Sequence, residues 1–460
     1  MMVTGSIVAL AFISLVVWLL VKKYNAIAVL LFSGLAMLVV SSLLGHNLPK
    51  IKQSTGFQAF DFIQYVVESF VDINAGVGLV IMVISGFVAY MDKIGASDAL
   101  VYLAMKPLGI FKKHPYILAS LVLPLGQFLF VSIPSAAGLG LLLMATVFPI
   151  MVELGVSRIS AVALITATTA FGIGPASAIA LSAAHVLEMD ITLFFFRYQV
   201  PLSVLLSITL TVSYFFVNRY YDQKLSADHF GLHPQSDDKK TKVKAPIVYG
   251  LLPVLPLFIL LVFSEFMGLV PFKVRVDTNI AMLIGLIAAM VFEWVRTRNL
   301  AAVCKSLDVF WGGMGDIFKS VVTLIIAADI FSKGLISLGF IDGLIGISQH
   351  IGLGGAGIGI VMTIMIFLAS ILMGSGNAAF FAFGPLVPGI ASKLSVSGVS
   401  IILPMSMAAS LGRTVSPIAG VLVAVAELAK VPAVQIVKRN LIPFLMAMIV
   451  MLIFNFFQPA

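Results

Sequence analysis

Long apolar stretches separated by short polar ones run through almost the whole chain. A helix needs about 20 predominantly apolar residues to cross the hydrocarbon layer of a membrane. By that criterion the pattern predicts five crossings in each half of the chain. In the first half the predicted spans are 3–21, 26–44, 75–91, an interrupted segment 158–189, and 200–217. In the second half they are 246–269, 279–295, 317–331, an interrupted segment 400–428, and 441–457.

A polar segment separates these two sets of spans. Residues 218–245 contain the stretch SADHFGLHPQSDDKKTKVK, which is too polar and too charged to lie in hydrocarbon. We therefore predict a first half at 1–217, a solvated cytoplasmic linker at 218–245, and a second half at 246–460.

Each half also contains an apolar stretch of about 40 residues that small residues interrupt at its middle. These stretches are 115–154, centred on SIPSAAG, and 355–394, centred on GSGNAA. Each is either two full crossings joined by a tight turn or a re-entrant hairpin that ends inside the membrane. We favour the hairpin, because a turn that emerges into water more often carries charge and neither tip does. Irregular backbone at that depth requires protein or a water-filled cavity around it.

The two halves look like copies of one plan. The segments ITATTAFGIGP and MAASLGRTVSP both end in proline and start at 165 and 407, 242 residues apart. The segments IGASDAL and LGFIDGL start at 94 and 338, 244 residues apart. Because five crossings is an odd number, the second copy enters the membrane upside down. Inverted repeats of this kind recur among secondary transporters.

The distribution of basic residues predicts the orientation. With the N-terminus outside, 19 of the 28 Lys and Arg residues fall in cytoplasmic segments, seven in periplasmic segments and two within spans. This excess follows the positive-inside rule and favours ten crossings with both ends outside. The first apolar run, 3–20, has no basic residue before it and no small-residue cleavage pattern after it. We therefore expect a retained span rather than a signal peptide.

Composition supports a membrane protein and excludes several other classes. Hydrophobic residues make up 60% of the chain and charged residues 10%, with a mean hydropathy of +1.12; soluble domains have roughly 45–50% apolar and 25% charged residues. The single cysteine, Cys304, rules out an intrachain disulfide. No His/Cys cluster has metal-ligand spacing, so we expect no cofactor. The net charge is +8, but the sequence contains no basic patch interleaved with aromatic residues. We therefore expect no nucleic-acid partner.

Arg413 is the clearest candidate for a functional residue. An arginine inside an apolar span costs roughly 2.5–3.5 kcal/mol on insertion scales and needs a partner. Gly412 precedes it and Pro417 follows, so the helix should break here, as it should at Gly172, Gly174 and Pro175 in the other half. Paired interrupted helices point to a transporter's binding site. Half-helix N-termini and a guanidinium both suit a carboxylate, so we predict an anionic substrate.

Structural roles compete with binding at each candidate position. Arg413 could form a permanent ion pair with Asp316, Asp329 or Glu427, or reach an interface. Hydroxyl and glycine residues commonly serve close helix packing, whereas a buried amide such as Asn377 demands partners. The predicted substrate-binding residues are Ser132, Ser135, Thr168, Thr169, Ser375, Gly376, Asn377, Gly412, Arg413 and Thr414.

The same residues carry a family resemblance. The segments GSGNAAFFAF (374–383), SLGRTVSPIAGVLVAVAELAK (410–430), SAAGLGLLLMATVFPIM (135–151) and YMDKIGAS (90–97) resemble the C-type anaerobic four-carbon dicarboxylate carriers of the ion transporter superfamily.

This resemblance implies a bacterial inner-membrane carrier of succinate, fumarate and related dicarboxylates that works by exchange or succinate efflux. It also implies a homodimer and an elevator arrangement with a scaffold domain and a mobile transport domain. The family's binding roles carry over onto Ser375, Gly376, Asn377, Gly412, Arg413 and Thr414.

Three other functions remain open on the sequence. A symporter coupled to H⁺ or Na⁺, for gluconate or a short-chain acid, would share the architecture. A cation/proton antiporter would want an acidic residue at a helix break, and both breaks lack one. An intramembrane enzyme is the weakest alternative, because no nucleophile, base and orienting group have a plausible spacing.

Overall fold

The computed structural model describes residues 2–111, 113–224, 245–263, 274, 276–350 and 354–457. Every regular element within these residues is a helix. Seven of the helices are long and apolar enough to cross a membrane, and six shorter apolar helices accompany them in the described residues. The predicted all-α polytopic membrane protein is therefore confirmed.

Twelve α-helices form the described part of the first half. They are α1 Met2–Val21, α2 Ala26–Leu43, α3 Gln58–Ile73, α4 Leu79–Ile94, α5 Ala96–Met105, α6 Pro115–Ser132, α7 Ala136–Thr146, α8 Phe148–Glu153, α9 Arg158–Thr168, α10 Ala178–Val186, α11 Ile191–Leu193 and α12 Val200–Lys224. A π-helical segment, Asn74–Gly78, joins α3 to α4, and another, Phe194–Gln199, joins α11 to α12.

Eleven α-helices form the described part of the second half. They are α13 Leu255–Val262, α14 Thr278–Thr297, α15 Leu300–Ile317, α16 Thr323–Ser337, α17 Phe340–His350, α18 Gly355–Met373, α19 Gly376–Phe383, α20 Val387–Leu394, α21 Gly398–Thr414, α22 Gly420–Ala429 and α23 Ala433–Phe457. A 3₁₀ segment, Ile247–Val254, leads into α13. A π-helical segment, Phe318–Val322, joins α15 to α16, as Asn74–Gly78 joins α3 to α4.

Three long helices extend beyond their predicted spans. Helical structure covers Gln58–Ile94, with a kink at Gly76, and also Leu300–Ser337 and Ile191–Lys224, where the sequence predicts 75–91, 317–331 and 200–217. Hydropathy detects only the uniformly apolar part of such helices. α3 is strongly amphipathic, with Tyr65, Ser69 and Ile73 buried and polar residues between them, so its mean hydropathy is low.

Other predicted boundaries need adjustment for similar reasons. The helices α5 and α17 are absent from the predicted spans. The linker predicted at 218–245 begins later, since α12 continues to Lys224, and residues 225–244 lie outside the described part. The predicted span 246–269 is helical to Val262, and residues 264–273 also lie outside the described part of the chain.

Helices of one half pack against helices of the other through glycines. α2 packs on α16, and α4 packs on both α14 and α15. A Cβ on Gly34 of α2 would lie 2.6 Å from the backbone N of Phe331, and one on Gly313 of α15 would lie 2.9 Å from the carbonyl O of Ser85. Side chains larger than hydrogen do not fit these contacts, so the small residues set the helix spacing.

The polar contacts outside the glycine-mediated helix packing include one group around Asp222 and two ion pairs. Tyr116, Ser157 and Arg439 all contact Asp222. Lys333 pairs with Asp329 at 2.8 Å, and Lys393 pairs with Asp342. The sequence predicts Arg439 to be cytoplasmic, and Lys333 and Lys393 to be periplasmic.

Candidate substrate site

Both 40-residue apolar stretches fold as helical hairpins with short tips. In the first, α6 ends at Ser132 and α7 begins after Ser135, whose Oγ accepts the N–H of Gly138 at 3.1 Å. In the second, α18 ends before Gly374, which has a φ of +66°, and the Oγ of Ser375 accepts the N–H of Ala378 at 3.3 Å. Serine therefore caps the helix that follows each tip.

Both interrupted segments are broken helices. α9 ends at Thr168, and α10 resumes after Ser177, whose Oγ accepts the N–H of Ala180 at 3.4 Å. α21 ends at Thr414, and α22 resumes after Ala419. Pro175 and Pro417 lie within the two breaks, where the backbone need not supply a helical N–H.

The two tips and the two broken helices surround one pocket of about 220 Å³. From the tips, the lining residues are Pro134, Ser135, Gly376 and Asn377. From the breaks and their helices, they are Gly172, Ile173, Ala176, Ser177, Ser410 and Arg413. The long helices supply further residues such as Ile84, Ser85, Ile317 and Val321. The pocket is smaller than the roughly 300–1,000 Å³ typical of drug-sized ligands and suits a small metabolite. Its polar groups come almost entirely from the tips and breaks.

Arg413 brings a largely free guanidinium into this pocket. Its Nη2 donates to the carbonyl O of Thr169 at 2.5 Å, at the C-terminal end of α9. A guanidinium has five N–H donors, so four have no partner among the described residues. One bond therefore anchors the side chain, and the remaining donors are available to a ligand.

The acidic side chains proposed as permanent partners of Arg413 are engaged or exposed elsewhere. Asp329 accepts from Lys333 and from Ser69. Asp316 and Glu427 are exposed. None of the ion pairs within the described residues involves Arg413.

Four of the ten predicted site residues line the pocket, and the other six support it. The lining residues are Ser135, Gly376, Asn377 and Arg413. Asn377 is half-buried, and its side-chain amide has no hydrogen-bond partner in the part of the chain that the structure describes.

The six supporting residues are buried or capping groups. The Oγ1 of Thr168 donates to the Ile165 carbonyl, and a Cβ on the facing Gly126 would lie 2.3 Å from the Thr168 Cγ2. The carbonyl of Thr169 accepts from Arg413, and the Oγ of Ser375 caps α19. Gly412 packs on Phe367, and the Oγ1 of Thr414 donates to the Ser410 carbonyl. The hydroxyl of Ser132 is buried and has no hydrogen-bond partner among the described residues.

Gly172 and Ser410 belong to the pocket and link the two broken helices. The N–H of Gly172 donates to the Oγ of Ser410 at 3.1 Å. Ser410 precedes Arg413 by three residues, which places both on one face of α21. That spacing is the only signal in the sequence that could have identified Ser410.

Replacing Gly376 by alanine should disrupt the contact between the second tip and α21. The new Cβ would lie 2.5 Å from the carbonyl O of Ala409, a backbone atom with no freedom to rotate away. We expect the free energy of unfolding to fall by about 1–3 kcal/mol and substrate exchange to fall at least tenfold.

Gly312→Ala is the matched control, because a Cβ at Gly312 meets nothing within 4 Å. It should leave exchange unchanged, and the thermal midpoint should stay the same or rise. Equal exchange by Gly376→Ala and Gly312→Ala would contradict the close approach of this tip.

A buried ion pair outside the pocket holds α12 and α23 to the start of α9. The Nη2 of Arg439 lies 3.0 Å from Oδ1 of Asp222, with side-chain exposures of 6% and 0%. Asp222 also accepts from the hydroxyls of Ser157 and Ser160, each at 2.8 Å. The Arg439 guanidinium lies over the ring of Tyr221, 4.6 Å from its centroid. The sequence places Asp222 in the predicted linker, so it gives no sign of this network.

Asn440, next to Arg439, donates a hydrogen bond to a backbone carbonyl at the second helix break. Its Nδ2 donates to the Thr414 carbonyl at 3.0 Å and to the Thr166 Oγ1 at 3.1 Å, and its Oδ1 accepts from the Tyr214 hydroxyl at 2.8 Å. A carbonyl released where α21 ends thus finds a buried partner.

Comparison with known proteins now identifies the family. The family model for the C4-dicarboxylate anaerobic carriers, DcuC, matches residues 4–458. The chain belongs to the DcuC family. It is 35% identical over 435 residues to the anaerobic C4-dicarboxylate transporter DcuC of Escherichia coli K12, covering 94% of this chain and 92% of that protein. It is 34% identical over 438 residues to the probable DcuC of Vibrio cholerae, covering 95% and 94%.

Two solved structures share the fold. The YdaH transporter of Alcanivorax borkumensis matches with a TM-score of 0.58 at 16% identity, covering 95% of this chain and 99% of that one. MtrF of Neisseria gonorrhoeae, described as one of a class of antimetabolite efflux pumps, matches with a TM-score of 0.64 at 12% identity, covering 95% and 96%. This DcuC-family chain is thus a multi-pass inner-membrane transporter and not an enzyme.

Proposed function

We propose that this DcuC-family protein transports C4-dicarboxylates such as succinate, fumarate and malate by exchange. The observation that carries the proposal is the free guanidinium of Arg413 in a pocket that both hairpin tips and both broken helices form. Such a group binds one carboxylate through two parallel hydrogen bonds. The names of the DcuC relatives support a four-carbon dicarboxylate as the substrate.

Exchange follows from the charge of the empty site. Without substrate, Arg413 leaves an uncompensated positive charge in a protein interior, and moving it through the membrane is costly. A bound carboxylate neutralises that charge. Reorientation of the loaded protein is therefore favoured over that of the empty one, which makes transport in one direction depend on transport in the other.

The proposed movement is an elevator. In this view the two hairpins and two broken helices move as a transport domain along a scaffold that includes α3, α4, α15 and α16. The pocket contacts Ile84 and Val88 of α4, and a second cavity of about 200 Å³ lies farther along the same helices at Ile73, Val77, Ile325 and Asp329. We infer that the site moves between these two levels.

Cysteine cross-linking tests the movement. In a Cys304→Ser background, Ala176→Cys of the first break and Val77→Cys of the scaffold should form a cross-link when the transport domain occupies its other position. Exchange should then stop and should recover on reduction. A pair that never cross-links, while Ala176→Cys with Val88→Cys does so throughout turnover, would contradict the elevator.

The remaining architectural predictions belong to the same proposal. We infer that 1–217 and 246–460 are inverted repeats joined by a linker that begins after Lys224, which the matching element order supports. The homodimer, and H⁺ or Na⁺ as coupling ion, stay predictions. Mass measurement in nanodiscs tests the dimer, and exchange with and without imposed ion gradients tests the coupling.

Counterflow of radiolabelled succinate into proteoliposomes tests the transported substrate. Unlabelled succinate, fumarate or malate inside the vesicles should drive uptake of the label, whereas gluconate or butyrate should not. Counterflow that only gluconate or butyrate supports would replace the dicarboxylate with another organic anion. Protein-free vesicles provide the control for leakage.

A further inference from the structure

We propose that the pocket takes its dicarboxylate as the monoanion, with one carboxylate ionised and the other protonated. This inference rests on the proposed function and specifies the charge state of the same substrate. The substrate itself then carries a proton, and the protein needs no acidic residue in the site.

The charge inventory of the pocket is the first observation. Arg413 is the only charged residue among the described residues that line it. The helices α6, α7 and α19 contain no Asp, Glu, Lys, Arg or His. One guanidinium therefore has to neutralise whatever binds.

Charged and titratable groups on the other elements around the pocket lie away from it. Ile317 and Val321 face the pocket four residues apart, and the exposed Lys319 lies between them on the opposite side of the helix. The remaining groups also do not line the pocket: Tyr90, Asp92 and Lys93 toward the end of α4, Tyr116 at the start of α6, Cys304, Lys305 and Asp308 on α15, the exposed Asp316 and Glu427, Arg158 at the start of α9, the Asp329–Lys333 pair, His185 at the end of α10, and the Lys393–Asp342 pair.

Helix N-termini contribute partial positive charge to the pocket but no formal charge beyond that of Arg413. Ser135, Ser177 and Ser375 already accept one N–H each at the starts of α7, α10 and α19. A dianion would therefore leave the loaded site with a net charge of −1. The monoanion leaves it neutral, which is the state that crosses a membrane at the lowest cost.

The other polar groups that line the pocket suit a neutral carboxyl. A protonated carboxyl presents one O–H donor and one carbonyl acceptor side by side. The amide of Asn377 presents the complementary acceptor and donor, and it has no partner among the described residues. The hydroxyls of Ser135 and Ser177 in the same pocket can also donate and accept.

The pH dependence of succinate exchange tests this inference. Full-length protein in proteoliposomes is assayed from pH 5.5 to pH 8, with the same pH on both sides. The KM in total succinate should rise about tenfold per pH unit above the second pKa of succinate, while the KM in hydrogen succinate stays constant. Succinamate, which is a monoanion at every pH in this range, should compete with an inhibition constant that does not change.

Each other result has a distinct meaning. A KM in total succinate that stays flat with pH would overturn the inference and leave dicarboxylate exchange standing. An inhibition constant for succinamate that rises in parallel with the KM would also overturn it, because the titrating group would then belong to the protein. Absence of exchange with every dicarboxylate at every pH would instead refute the proposed function.

A variant at Asn377 provides a second test. Asn377→Ala should raise the KM for succinate about tenfold and raise the inhibition constant of butyrate, a competitor with only one carboxylate, by less than twofold. Equal changes for the two would show that Asn377 does not contact the second carboxyl.

Discussion

Replacing Arg413 by alanine should reduce succinate exchange by at least about 100-fold while the protein still inserts and folds. Hydrogen bonds to a charged group contribute about 1.5–3 kcal/mol each, so losing a two-bond contact costs about 3 kcal/mol or more, which corresponds to about 150-fold. Folding loses only the bond to the Thr169 carbonyl. Counterflow of radiolabelled succinate measures the transport loss, and the thermal midpoint measures folding.

Two further arginine variants show what the loss means. Arg413→Lys keeps the charge but not the planar fork, so exchange should lie between those of the native protein and Arg413→Ala. Arg197→Ala removes an exposed arginine that does not line the pocket and should exchange normally. Normal exchange by Arg413→Ala would reject the assignment of this pocket to substrate.

Replacing Asp222 by leucine should lower the free energy of unfolding by about 3–5 kcal/mol, because it leaves Arg439 as a buried charge without its partner. The hydroxyls of Ser157 and Ser160 lose their acceptor in the same step. The thermal midpoint of the detergent-solubilised protein should therefore fall substantially. A change at the exposed ion pair, Lys52→Ala beside Asp72, should leave that midpoint unchanged, because salt-bridge energy is small in water.

The double variant Asp222→Leu with Arg439→Met separates charge from packing. Removing both charges should restore at least about half of the stability that the single variant loses. A double variant as unstable as Asp222→Leu alone would show that the hydroxyl contacts, rather than the unpaired guanidinium, cause the loss.

The sequence predicts the apolar parts of the fold and misses parts whose stability depends on distant contacts. Uniform hydrophobicity identifies α2, α14 and α23, because lipid surrounds much of their surface. It misses α3, whose polar residues alternate with the buried Tyr65 and Ser69. The sequence prediction also ends α12 too early, because a charged residue such as Asp222 is expected in solvent. Only the structure shows that Arg439, more than 200 residues later in the chain, pairs with it.

The same limit applies to the site. Arg413 and Asn377 stand out in the sequence because a charge and an amide are costly in lipid. Ser410 does not, since serine is common at membrane helix contacts, and only its bond to Gly172 in the other half shows its role. Thr168 and Gly412 lie in the same two sequence segments as the site residues, ITATTAFGIGP and MAASLGRTVSP. The structure places both of them in helix contacts beside the pocket.

The most direct test is a cryo-electron microscopy map of the full-length protein in nanodiscs with succinate present. We predict density in the pocket between the two tips, with carboxylate oxygens about 2.7–3.2 Å from the Arg413 guanidinium nitrogens. An empty pocket under saturating succinate, with Arg413 bound to an acidic side chain of the protein, would contradict it.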